Sequence, residues 1–203
     1  MVRIAVPVVH TRRAIPRGSA PPTIRLVAID PDRKDWTWVT VSRCPECGFD
    51  GGAISVGEST HQFRQLADAW TDVLSGPGVR HRSDDGTWSP LEYACHLRDA
   101  FGVIDRRLEL MLAEDDPTFE DWDQDATAVD LDYGAQDPAA VAEQLADAVG
   151  RFADRLASVN GDQWHRAGTR SDGARFTIET LGRYALHEPI HHLVDIGQHP
   201  HPT

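Results

Sequence analysis

The heptapeptide HEPIHHL, residues 187–193, places His187, His191 and His192 around Glu188 and Pro189. Its first five residues match H-E-x-x-H, the pattern in which two histidines on one helical face hold zinc and the glutamate acts as general base. Three features argue against a protease of that kind. The extended form of the motif needs Gly at 194 and His at 197, where this chain has Val194 and Gly197. A downstream glutamate ligand needs more chain than remains before Thr203. Pro189 also removes a helical hydrogen bond inside the motif and tends to kink the helix. What survives is the spacing. His187 and His191 are i and i+4, so they project from one side of a helix about one turn apart.

A catalytic zinc-type centre uses three protein ligands and keeps one position open. The third ligand is therefore sought upstream, and His96 in WSPLEYACHLRD is the candidate. It stands next to the apolar stripe of its helix, where a side chain reaches an inter-helix cleft. The plainer reading is a surface or hydrogen-bonded histidine on a helix flank.

Two other stretches carry ligand-type residues. Cys44-Pro45-Glu46-Cys47-Gly48 is a C-x-x-C knuckle, but a zinc ribbon needs two such pairs and only one is present. His61 could add a ligand to Cys44 and Cys47, with no regular spacing to support it. A structural turn or half-knuckle competes evenly with metal or redox use, and Cys95 reads as a small core residue. Asp121, Asp123 and Asp125 imitate the start of an EF-hand loop. The sixth position is Ala126 rather than Gly and the twelfth is Asp132 rather than Glu, which weakens a calcium reading.

The chain that positions these residues has 203 residues, 40% hydrophobic and 26% charged, the balance of a globular protein with a usable core. No apolar run is long enough to span a bilayer, and no signal peptide is evident. The net charge is -12. Between Arg107 and Arg151 there is no Lys or Arg but 13 acidic residues, an acidic surface that repels phosphate backbones and disfavours nucleic acid. Three cysteines, an odd number, argue against a disulfide framework and for a reducing cytoplasm.

Residues 1–33 are Pro-rich, carry arginines and lack periodicity, so they read as an extension outside the core. Residues 34–58 read as irregular, with a brief extended segment at Trp36–Val41 before the knuckle. From Ser59 the pattern is helical. Ser59 and Gln62 suggest a capping pair ahead of a Phe63, Leu66, Trp70, Val73, Leu74 stripe. Ser89-Pro90-Leu91-Glu92 opens a second helix, with Leu97, Phe101, Ile104, Leu108 and Met111 as its stripe. Asp137-Pro138 opens a third, with Val141, Leu145, Val149, Phe152, Leu156 and Val159 inward, and Asn160-Gly161 as its stop. A fourth begins near Thr177 and ends in the histidines. Four amphipathic helices make an all-α four-helix bundle the economical fold over residues 59–203. The long connection from about 115 to 136 is of the kind that is functional or partly structured.

A capped second helix reading W-S-P-L-E-x-x-x-H, followed far downstream by a last helix with H-x-x-x-H-H, resembles the DinB-like superfamily of metal-binding four-helix bundles. The resemblance covers about residues 60–197 and includes thiol-dependent S-transferases and mycothiol-dependent maleylpyruvate isomerases. It implies that His96, His187 and His191 hold a divalent metal, zinc or nickel, with Glu188 and His192 as the alternative i, i+4 pair. A low-molecular-weight thiol such as mycothiol would take the open position, and its thiolate would attack a small electrophile. Glu188 or His192 would act as base or orienter, Arg183 would meet a carboxylate of thiol or substrate, and Trp122 would be an apolar lid on the cleft. A metal-dependent hydrolase at the same site is the second expectation, and a non-catalytic metal-binding or stress-response module the third. The expected partners are small molecules rather than nucleic acid or membrane, and the chain is open to self-association as a homodimer.

Overall fold

The computed structural model describes Ile29 and residues 34–198. The extension read over residues 1–33 lies, apart from Ile29 and its boundary, outside the described residues, as do residues 199–203. Four long helices form the body: α1 (Thr60–Ser75), α2 (Pro90–Ala113), α4 (Pro138–Ala157) and α5 (Ile178–Asp195). A short helix, α3 (Gln124–Asp130), lies between α2 and α4. Three short strands, β1 (Thr118–Phe119), β2 (Ala167–Arg170) and β3 (Arg175–Thr177), form a small sheet. The fold is a mostly helical four-helix bundle. Among the described residues no helix is long and apolar enough to cross a membrane.

The helix starts follow their caps. Ser89 accepts from the Glu92 amide while Glu92 reaches back to the Ser89 amide, a reciprocal capping box with Pro90 as the next residue. Asp137 caps α4 and Thr177 caps α5. Ser59 precedes α1 but makes no side-chain cap, so the S-x-x-Q pairing is not used. Helix α4 stops at Ala157, and Asn160 instead opens a 3-10 turn at Gly161–His165. Buried side chains of α1, α2 and α4 meet at Phe63, Phe101 and Phe152, whose rings pack edge to face at 5.2–6.0 Å.

The connection between α2 and α4 is ordered. Strand β1 pairs in parallel with β2, and β2 pairs antiparallel with β3, in the order β1-β2-β3. Gly168 is required there, because a Cβ would come within 2.7 Å of the Phe119 ring and 2.9 Å of Met111 Cγ. The β2–β3 hairpin turns through Gly173 at φ +95°. Its sequence signal, Ser171-Asp172-Gly173 between short polar-apolar runs, is a genuine hairpin cue. Asp123 caps α3 by accepting from the Ala126 amide, and Asp121 pairs with Arg170, so the EF-hand-like acids serve as a cap and an ion pair.

The segment before α1 is built from 3-10 turns rather than strand. Trp36–Val41, read as extended, instead forms the turn Thr37–Thr40, started by the Asp35 carboxylate accepting from the Thr37 amide. Its tryptophans and valines therefore divide between the interior, where Val39 is buried, and the surface, where Val41 is exposed. This segment docks on α5. Arg183 donates to the Ile54 carbonyl at 3.1 Å and the Thr40 carbonyl at 3.2 Å, and pairs with Glu179. Val56 packs onto Gly182, where a Cβ would approach to 2.6 Å.

Candidate metal centre

Helix α5 presents two i, i+4 pairs one residue out of step. His187 with His191 points one way and Glu188 with His192 another, because successive residues rotate about 100° around the helix. The expected trio His96, His187 and His191 is divided by that rotation. His96 on α2 meets Glu188 and His192, while His187 and His191 meet Cys44 and Cys47 of the knuckle. Pro189 remains inside the helix, and its carbonyl accepts from the buried Trp70 indole at 3.2 Å. The HEPIH match thus separates in space. Glu188 groups with His96 and His192, away from the histidine pair to which a zincin base would belong.

In the first group, His96 Nε2 lies 3.1 Å and His192 Nε2 3.6 Å from the same Glu188 oxygen, Oε2. His192 Nδ1 is 2.8 Å from Asp195 Oδ2, which holds the ring and turns Nε2 to the site. Tyr93 stacks on the His192 ring at 4.5 Å. His96 is sandwiched between Trp88 and Trp122, each 5.6 Å away, with Trp122 nearly parallel at 13°. Trp122 is fixed by its indole donating to Thr127 at 2.8 Å.

The electrostatics are those of a tightly coupled pocket. Burial pushes the Glu188 carboxyl up, but hydrogen bonds with His192 and His96 more than reverse this and leave it well below the ordinary range. Burial disfavours a charged His192, and the Asp195 and Glu188 carboxylates outweigh it, lifting its pKa to about 9. Burial lowers His96 and is only partly countered by Glu188.

Three donors of this kind suit a divalent cation. Ligand atoms of a tetrahedral zinc with bonds of about 2.0–2.1 Å stand roughly 3.4 Å apart, and the 3.1 and 3.6 Å separations bracket that value. His96, Glu188 and His192 would hold the ion with a position left open, two nitrogens and one oxygen being compatible with zinc or nickel.

Two cavities of about 330 Å³ each adjoin this group and share His96, Glu188 and Tyr184. One extends past Trp88 and Tyr93 to His187 and His191. The other runs under Trp122 to Arg107 and Arg170. Arg107 is buried, donates to the Glu120 carbonyl at 2.8 Å and sits over the Phe119 ring. Trp122, named from the sequence as a lid, lines this second cavity. Arg183, named as a carboxylate partner, is committed to the carbonyls of Thr40 and Ile54 and lines neither cavity. Asp195, Arg107, Arg170 and Tyr184 went unnoticed in the sequence. Only Asp195 left a trace there, the i, i+3 step from His192.

In the second group the donors of Cys44, Cys47, His187 and His191 all lie within 4.8 Å of one another. His61 is exposed and takes no part. Cys95 is buried against the Tyr133 carbonyl, its thiol pushed up to about 12 by burial, as expected of a core residue.

Residues 59–196 match the family model of the DinB superfamily. A solved structure described as "YfiT from Bacillus subtilis is a probable metal-dependent hydrolase with an unusual four-helix bundle topology" superposes with a TM-score of 0.60 and 24% identity, over 71% of this chain and 87% of that chain. No curated protein matches. The match spans all four long helices and carries His96, Glu188 and His192 within it, and the chain belongs to the DinB superfamily.

Proposed function

We propose that this protein is a divalent-metal-dependent enzyme whose centre is held by His96, Glu188 and His192, and that it transfers a low-molecular-weight thiol to a small electrophile. The observation that carries the metal reading is the convergence of two buried imidazoles on a single Glu188 oxygen, with His192 oriented from behind by Asp195. Glu188 and His192, read from the sequence as base or orienter and as the alternative i, i+4 pair, are the ligands of this centre, and His187 and His191 stand in the other donor group. A bound cation supplies one thing, stabilisation of a deprotonated nucleophile at neutral pH.

The chain's own groups do the rest. Asp195 holds His192 at Nδ1 and so turns Nε2 to the site, where a bound ion would replace the Nε2 proton. Trp88 and Trp122 pack against the His96 ring and hold it in place. Arg107, in the adjoining cavity and donating to the Glu120 carbonyl, is the cation placed to meet an anionic substrate group, the task first given to Arg183; Arg170 beside it is paired with Asp172 and Asp121. Support for thiol transfer comes from the resemblance to mycothiol-type S-transferases. Hydrolysis at the same centre is the second reading, and the description of YfiT as a probable metal-dependent hydrolase favours it.

The test is an assay of the purified chain with a generic alkylating electrophile, with and without cysteine-based thiols, beside an ester and an amide. Thioether formation that depends on both thiol and His96 supports transfer. Hydrolysis of ester or amide, independent of thiol and lost in His96→Ala, supports the second reading. Full activity in His96→Ala refutes the centre itself.

A further inference from the structure

The C-x-x-C knuckle finds its missing half on the last helix. Cys44 Sγ lies 3.7 Å from His191 Nδ1, across 147 residues of sequence. For a tetrahedral zinc with bonds of about 2.3 Å to sulfur and 2.0–2.1 Å to nitrogen, sulfur and nitrogen stand roughly 3.6 Å apart. Cys47 and His187 complete a set of four donors within 4.8 Å. His187 is buried, and neither of its ring nitrogens has a hydrogen-bond partner. Such an imidazole is costly in an interior unless something is bound to it. His191 is oriented as ligands are: Nδ1 faces Cys44, while Nε2 has Glu46 Oε2 at 3.6 Å and Asp195 Oδ1 at 3.7 Å.

The knuckle itself is preformed. The Cys44 amide donates to the Phe49 carbonyl at 2.7 Å, the Gly48 amide to the Cys44 carbonyl at 2.9 Å, and Gly48 takes φ +79°, which favours glycine. Aromatic rings close the cluster, with Trp36 against both histidines and Phe49 against His187. Among the described residues before α1, regular structure is limited to three 3-10 turns and one isolated bridge, Arg43 to Asp50.

We propose that Cys44, Cys47, His187 and His191 bind a structural zinc ion that fastens the residues before α1 to α5. Four protein donors fill a tetrahedron and leave no position for substrate, which separates this site from the three-donor centre next to it. Binding replaces the two thiol protons, which leave to solvent, and forms two Zn–S and two Zn–N bonds without any redox change. The pair of sites gives each i, i+4 pair of α5 its own partners: His187 and His191 meet the knuckle, and Glu188 and His192 meet His96.

The experiment uses the full chain purified under reducing conditions. Bound metal is counted by mass spectrometry, and the ion is exchanged for cobalt(II), whose absorption reports thiolate ligation. The expected wild type holds about two metal ions and shows a sulfur-to-cobalt charge-transfer band, and Cys44→Ser/Cys47→Ser loses the band and about one ion. His96→Ala loses the other ion and keeps the band, so failure of the three-donor centre and failure of this one are read separately. A wild type without the band, or with Cys44 and Cys47 joined as a disulfide, overturns the proposal. The wild-type spectrum decides even where the double variant does not fold.

Discussion

The Asp195 carboxylate lies 2.8 Å from Nδ1 of His192, one helical turn earlier. Its other oxygen stands 3.7 Å from Nε2 of His191. One carboxylate at the end of α5 thus holds His192 by a hydrogen bond and stands close to His191 of the other donor group. Changing Asp195 to Asn keeps the shape and removes the charge. Outer partners of this kind are worth about 10–100-fold in metal affinity. Asp195→Asn is expected to weaken metal binding by that range, with helix content unchanged by circular dichroism. Competition with a chelator measures it. Affinity equal to wild type would show that the 2.8 Å contact does not matter for the metal.

Neutralising Glu188 is a sharper test, because the two imidazoles then lose the anionic oxygen they share. With Glu188→Gln, the metal of the three-donor centre is expected to dissociate and any activity to fall by at least about a hundredfold. The neighbouring His187 and His191 belong to the other group, so thiolate–cobalt absorption is expected to persist. Loss of both signals together would mean that the two groups are not independent.

Arg183 holds carbonyls of two different 3-10 turns, those of Thr40 and Ile54, from a single guanidinium. Arg183→Ala leaves those carbonyls without their donor. Hydrogen bonds from a charged group contribute about 1.5–3 kcal/mol, so destabilisation of about 2 kcal/mol is expected. It is expected to be local, seen as faster proteolysis within residues 36–58 while α1 to α5 stay protected. A change in substrate KM without a change in proteolysis would return Arg183 to the ligand-binding role read from the sequence.

The bundle was largely legible, because its signals are local. Ser89, Asp137 and Thr177 cap the helices they announce, and the stripes on α2 and α4 are buried throughout. The grouping of donors was not. His187 or Glu188, one residue apart, faces His96 according to a rotation of about 100°, and that depends on how α5 rolls against α2. Gly182 seats Val56 and Trp70 binds the Pro189 carbonyl, so packing across the molecule sets the roll. The sequence does contain both i, i+4 pairs, but nothing in it says which pair meets which partner. Likewise, Cys44 and Cys47 lacked a second half within reach along the chain, and zinc-ribbon spacing rules do not look 140 residues ahead. The short strands were missed because two to four residues carry too little alternation to register.

A last prediction concerns acid stability away from the donors. Glu92 is buried, accepts from Arg82 at 2.9 Å and from the Ser89 hydroxyl at 2.7 Å, and closes the capping box of α2. Burial pushes its carboxyl up, but Arg82 and Ser89 outweigh this and hold it below the ordinary value. A depressed carboxyl stabilises the fold above its unfolded pKa, about 4.3, and that contribution is lost as pH falls through the folded value. Glu92→Gln keeps the length and the N3 cap but not the charge. Its cost is expected to be about 2 kcal/mol at pH 7 and to shrink steadily below about pH 4.3, as wild-type Glu92 itself becomes neutral. Urea unfolding of the two proteins at pH 7 and at lower pH measures the difference. A gap that stays constant with pH would show that the Arg82 ion pair contributes nothing and that only the shape of the cap matters.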